Sequence, residues 1–118
     1  MLAEPVHTIM RSEGRNYFRL RYPNHLCPHL AISGESLSVI DISEKGLRFS
    51  CLSNSRHVVG TAMTATVVFR SGQAAAIEGV ILRVTKLDVA LRLQRGFNFK
   101  TIVHEQRALL GKVKYAFH

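Results

Sequence analysis

Arg15 and Arg19 stand four residues apart, and Asp41, Ser43 and Gly46 follow one hairpin's length downstream. The two pieces read R-x-x-x-R and D-x-S-x-x-G, and their chemistries are complementary. Each guanidinium offers a planar fork that fits phosphate oxygens and equally the O6/N7 edge of guanine. Asp41 is an acceptor suited to the N1–H and N2–H₂ edge of the same base, Ser43 can donate to a phosphate or hold a turn, and Gly46 lets backbone approach a ligand closely. Each motif alone has an ordinary explanation. The arginines read as a solvated basic arm, and D-x-S-x-x-G between two strands reads as a hairpin turn whose Asp and Ser bond the backbone. Their order and separation favour a joint site for an anionic purine compound.

The elements that must position these residues are mostly strands. The segment 17–32 alternates imperfectly and contains Pro23 and Pro28, which removes ladder donors and predicts an irregular or edge strand. Ser33-Gly34-Glu35-Ser36 reads as a turn, and Leu37 to Ile42 as a strand. Ser43-Glu44-Lys45-Gly46 is then a tight connection, with Gly46 expected to take a positive φ. Leu47, Phe49 and Cys51 alternate with polar residues on the next strand, and residues 53–60 form a loop. Thr61 to Arg70 is rich in β-branched residues, Ser71-Gly72 is a hairpin signal, and 73–86 and 87–94 supply two more strands, with Gly79 marking a bulge or bend. From Phe99 the period changes: Phe99, Ile102, Val103, Gln106, Leu109, Leu110, Val113 and Phe117 recur at helical spacing, predicting one amphipathic helix over about 98–115. Five or six strands with short connections and a terminal helix point to a small antiparallel barrel capped by that helix.

Composition narrows the partners. The 118 residues suit one domain with one core, and an apolar fraction of 47% suits a folded globule. With 16 Lys+Arg against 8 Asp+Glu, the formal net charge of +8 favours an anionic partner: nucleic acid, an anionic membrane surface or a phosphorylated small ligand. No apolar run approaches a membrane span, and the N-terminus has no apolar signal-peptide core. Cys27 and Cys51 are too few for a disulfide framework, so a cytoplasmic location is the expectation.

Taken together, R-x-x-x-R at Arg15 and Arg19 and D-x-S-x-x-G at Asp41, Ser43 and Gly46 resemble the PilZ domain, a bacterial receptor module for the second messenger cyclic di-GMP. The resemblance spans most of the chain. It implies a six-stranded antiparallel β-barrel with a C-terminal helix, formed by residues 15–118 behind a flexible arm, 1–14. It also implies that Arg15 and Arg19 engage the ligand's phosphates and guanines and that Asp41, Ser43 and Gly46 form one wall of the pocket. The arginine pair could also be read at Arg11 and Arg15. The position just before the motif, often Arg or Lys in the family, is Gly14 here, which puts ligand stoichiometry in question. Arg83, on a late strand, is a further candidate to face the pocket. The expected protein is a non-enzymatic receptor, without resident cofactor, that acts in trans on another protein.

Other readings rest on other residues. His25, Cys27 and His29 at alternate positions, with Cys51, would be the candidate zinc ligands, but Pro28 disturbs the alternation and no second ligand pair supports a metal. No Walker loop, G-x-S-x-G or H-E-x-x-H is present, so catalysis is not expected. A basic barrel binding single-stranded nucleic acid needs aromatic platforms, and the chain has no Trp and few aromatics outside core-like positions. A barrel of the same family that serves as an interaction module without ligand is the remaining alternative.

Overall fold

The computed structural model describes residues 18–51 and 57–116. Within them the strands are β1 (Leu20–Arg21), β2 (His29–Ile32), β3 (Glu35–Ser43), β4 (Gly46–Ser50), β5 (Ala62–Val68), β6 (Ala74–Val84) and β7 (Asp88–Arg95), followed by helix α1 (Phe99–Ala116). All pairings are antiparallel, and the order β3-β2-β5-β6-β7-β4 closes through a further β3–β4 ladder. β1 pairs Leu20 with Ile42 and Arg21 with Asp41, while β2 pairs with the other half of β3, so both run along one edge of that strand. The seven segments therefore form the six staves of a closed barrel with one C-terminal helix. Among the described strands, closure leaves no long edge open to another chain.

The two prolines explain the broken first stave. Between β1 and β2 the chain leaves the ladder through a 3-10 turn, Asn24–Leu26, and Val39 N–H bonds the Pro28 carbonyl where the chain returns. Ser33 and Gly34 then both adopt positive φ, 48° and 81°, and join Ile32 to Glu35 in a two-residue hairpin of the primed kind. The predicted strand and helix segments recur with boundary shifts of a few residues. Part of the predicted loop at 53–60, the arm at 1–14 and Arg15 lie outside the described residues.

The barrel interior holds the core. Leu30, Val39, Ile42, Phe49, Val67 and Val89 are fully buried, with Leu47, Ile77, Ile81, Leu91 and Leu93 nearly so. Cys51 is buried among them. Phe97 packs edge-on against Phe69, with ring centroids 6.0 Å apart, and closes the end of the barrel. Asn98 starts the helix: its Oδ1 accepts the Thr101 N–H at 2.8 Å, the bond of an N-cap residue.

α1 turns inward part of the set that its apolar spacing suggests, together with one residue outside that set. Ile102 is fully buried and Leu109 packs against the core, whereas Phe99 and Leu110 are 55% and 61% exposed. Glu105 takes an inward place because the Tyr22 hydroxyl, at the end of β1, donates to its Oε1 at 2.6 Å. A carboxylate is tolerable there because a charge-assisted hydrogen bond satisfies it. Burial, and then Glu105, push the Tyr22 hydroxyl's pKa well above the ordinary value of 10.0. Tyr22→Phe is therefore expected to cost about 1.5–3 kcal/mol of stability near neutrality. The pH dependence has a fixed sign. The folded state keeps Tyr22 neutral while the unfolded chain ionises, so the stabilisation is complete below pH 10.0 and declines above it. The slope is about 1.4 kcal/mol per pH unit. Urea titrations from pH 9 to 11 should show a steeper alkaline decline in wild type than in Tyr22→Phe, and parallel declines would contradict the assignment.

Candidate functional site

The outer face of β3 and β4 carries a buried carboxylate between two guanidinium groups. Arg19 Nη1 lies 2.8 Å from Asp41 Oδ1, and Arg48 approaches Oδ2 with Nη2 at 2.9 Å and Nε at 3.1 Å. Arg48 continues to Asp88 on β7, Nη1 to Oδ2 at 3.2 Å, and Asp88 Oδ1 accepts the Thr85 hydroxyl at 2.8 Å. The Asp41 side chain is 2% exposed, that of Arg48 24% and that of Arg19 47%. Asp41 is thus a solvent-shielded acceptor, Arg48 a partly covered support and Arg19 the most solvent-accessible of the three.

Backbone irregularity places the carboxylate. Strict alternation along β3 would put Asp41 on the same face as Val39, inside the apolar core. The ladder shifts between Val39, which faces Phe49, and Asp41, which faces Arg48. Ile40 is the extra residue, a bulge that turns Asp41 outward and returns Ile42 to the core opposite Leu47. A second shift, between Ile81 and Arg83, does the same on β6 and sets Arg83 opposite Ala90. Arg19, Asp41, Arg48, Leu82, Arg83 and Ala90 line one cleft of about 310 Å³. Three arginines against one carboxylate suit it to an anion, and exposed Leu82 with half-buried Ala90 supplies an apolar strip on which a base can lie.

Ser43 and Gly46 are brought to the same place. They pair across the β3–β4 hairpin, and Ser43 is buried. Gly46 does not take the positive φ expected of it; its requirement is closeness. A Cβ there would stand 3.2 Å from Ser43 Oγ and 4.0 Å from Arg19 Nη2. Only the Ser43 hydroxyl is tight against that position; the Leu91 carbonyl, at 3.6 Å, and the Arg19 guanidinium lie at ordinary contact distance. Gly96 braces the same turn, since a Cβ on it would fall 2.8 Å from the Glu44 carbonyl. Gly79, expected at a bulge, does sit at a register shift, and its own Cβ would meet the Arg92 carbonyl at 2.7 Å.

Four of the five residues singled out in the sequence, Arg19, Asp41, Ser43 and Gly46, therefore converge, and Arg15 lies outside the described residues. Asp41 bonds arginines rather than its own backbone, which removes the simple hairpin-turn explanation for it. Sequence reasoning missed Arg48 and Asp88. The available signal was that Arg48 follows Gly46 at the alternate position of β4 and so shares its face.

Against protein families, the sequence matches the PilZ domain over residues 13–116, nearly its whole length. The chain belongs to the PilZ family. No curated protein and no solved structure gives a significant match. PilZ domains are known as non-catalytic modules that bind cyclic di-GMP, and the closed six-stranded barrel with one C-terminal helix is the architecture the sequence resemblance implied. Among the described residues of this PilZ domain, no group of three or more His, Cys, Asp or Glu side chains converges as metal ligands would, and His25, Cys27, His29 and Cys51 form no such cluster. No described helix is long and apolar enough to cross a membrane.

Proposed function

We propose that this PilZ domain is a non-enzymatic receptor for cyclic di-GMP, held through Arg15, Arg19, Asp41, Ser43 and Gly46, and that it acts in the cytoplasm on a separate protein. The observation that carries the reading is the pairing of Arg19 with Asp41 beside the Gly46 position, which the Ser43 hydroxyl adjoins. An arginine tip and a shielded carboxylate side by side match guanine on both edges: the fork meets O6 and N7, and the carboxylate meets N1–H and N2–H₂. The excess of guanidinium groups in the cleft accommodates phosphate. A single-stranded nucleic acid would need stacking aromatics, and the cleft's lining has none.

Arg19 is about half exposed, so its pair with Asp41 contributes at most about 1 kcal/mol to folding. Removing it should spare the fold and impair the ligand. Calorimetric titration of cyclic di-GMP into wild type and Arg19→Ala is expected to show binding weakened roughly 10- to 100-fold, the worth of one charge-assisted contact. Equal affinities, or no heat in wild type, would remove the reading. Steep salt dependence with arbitrary oligonucleotides and no preference for guanine would instead favour a nucleic-acid barrel.

A further inference from the structure

We propose that Arg48 is the positioning residue that makes Asp41 selective for guanine. The inference rests on the receptor reading above and assigns a role to a side chain outside the two sequence motifs. Its basis is the division of labour around one carboxylate. Arg48 spends two donors, Nε and Nη2, on Oδ2, and Arg19 spends one on Oδ1. The two arginines differ in freedom. Arg19 is half exposed and precedes a strand of two residues, while Arg48 is in the middle of β4, paired across to Asp41 on one side and Ala90 on the other. Arg48 is also fixed at its far end by Asp88, which Thr85 orients in turn. Thr85, Asp88, Arg48 and Asp41 are therefore a chain of side chains from the β6–β7 connection to β3 that ends on one oxygen.

The consequence is an exchange at the other oxygen. A purine ligand whose phosphate or O6/N7 edge draws the Arg19 fork away leaves Oδ1 to accept N1–H and N2–H₂. Arg48 continues to hold Oδ2, so the carboxylate neither loses its charge partner nor rotates. A buried carboxylate released by both arginines at once would carry an uncompensated charge, which is strongly unfavourable. Adenine presents an acceptor at N1 instead of a donor and has no N2 amine, so a carboxylate fixed in this way rejects it. Arg48 thus contributes to selectivity without touching the base.

The test is a titration of the full chain with cyclic di-GMP and with cyclic di-AMP, run for wild type, Arg48→Ala, Arg48→Lys and Asp88→Asn. Wild type should favour the guanine ligand. Arg48→Ala should lose roughly 10- to 100-fold in affinity for cyclic di-GMP and little for cyclic di-AMP, so that the ratio between them collapses. Arg48→Lys keeps charge but not the fork and should recover only part of the ratio. Asp88→Asn should shift it in the same direction by less, and it keeps the question open to measurement if Arg48→Ala does not fold. A merely structural Arg48 would weaken both ligands alike. An unchanged ratio in the variants, with tight guanine binding in wild type, overturns the role of Arg48 and leaves the receptor reading standing. Absence of wild-type binding to cyclic di-GMP overturns both.

Discussion

Asp41→Ala is expected to lower affinity for cyclic di-GMP by at least about 100-fold, the largest loss of any single substitution in the cleft. On the proposed reading Asp41 accepts two hydrogen bonds from one base edge, each involving a charged acceptor and worth about 1.5–3 kcal/mol. No neighbour can replace them, because the other charged groups lining the cleft are arginines, which only donate. The substitution also leaves Arg19 and Arg48 facing each other without the carboxylate that now lies between them. Their positive field would then act on phosphate alone. The variant should accordingly bind inorganic pyrophosphate better than wild type while binding the guanine ligand far worse. Opposite changes for the two ligands separate loss of base recognition from general damage to the site. If both affinities fall together, or if guanine binding survives, Asp41 is not the base-reading group.

The largest effect on folding is expected at Phe49. Its side chain is fully buried on β4, between Val39 of β3 and Val89 of β7, and its ring meets His57 edge-on at 5.7 Å. Phe49→Ala removes most of a phenyl group from a closed barrel whose walls are hydrogen-bonded all round and can collapse only a little into the space. Such truncations cost about 3–5 kcal/mol, against a total stability of about 5–15 kcal/mol for a domain. Tm should fall by roughly 12–20 °C, taking about 4 °C per kcal/mol at this chain length. Phe49 is next to Arg48 in sequence but on the opposite face of the strand, so ligand affinity measured well below the new Tm should change much less than stability does. A drop of less than about 4 °C would mean that the barrel relaxes around the gap.

Asp41 and Phe49 lie on the two faces of one strand pair, and the proposed receptor depends on the separation of those faces. The inner face of β3 and β4 is apolar and supplies rigidity. The outer face holds charges in a fixed array that a mobile ligand can read. A carboxylate as shielded as Asp41 is sustained only because arginines from β4 and from the segment before β1 reach it, and the Arg48–Asp88 contact ties that array to β7.

Sequence by itself determined the framework of this protein. Alternation and turn residues located the strands, because a half-buried strand has a period of two and hairpins need glycine or small polar residues at defined places. The change of period near Phe99 located the helix, and the motif pair gave the family, with the barrel closure and ligand class it implies. Only the tertiary structure decided which side chains meet. Ladder shifts at Ile40 and Leu82 reverse the face on which Asp41 and Arg83 lie, and a bulge depends on how two strands register against each other, which no local period records. Arg48 and Asp88 joined the site for the same reason: they are distant in sequence and neighbours only across a ladder. Gly46 was legible as a glycine position but not for its cause, since the closest approach to it is the Ser43 hydroxyl, brought there by the β3–β4 pairing. Glu105 turned inward against its polarity because Tyr22, on the far side of the chain's order, supplies the proton donor that makes burial tolerable.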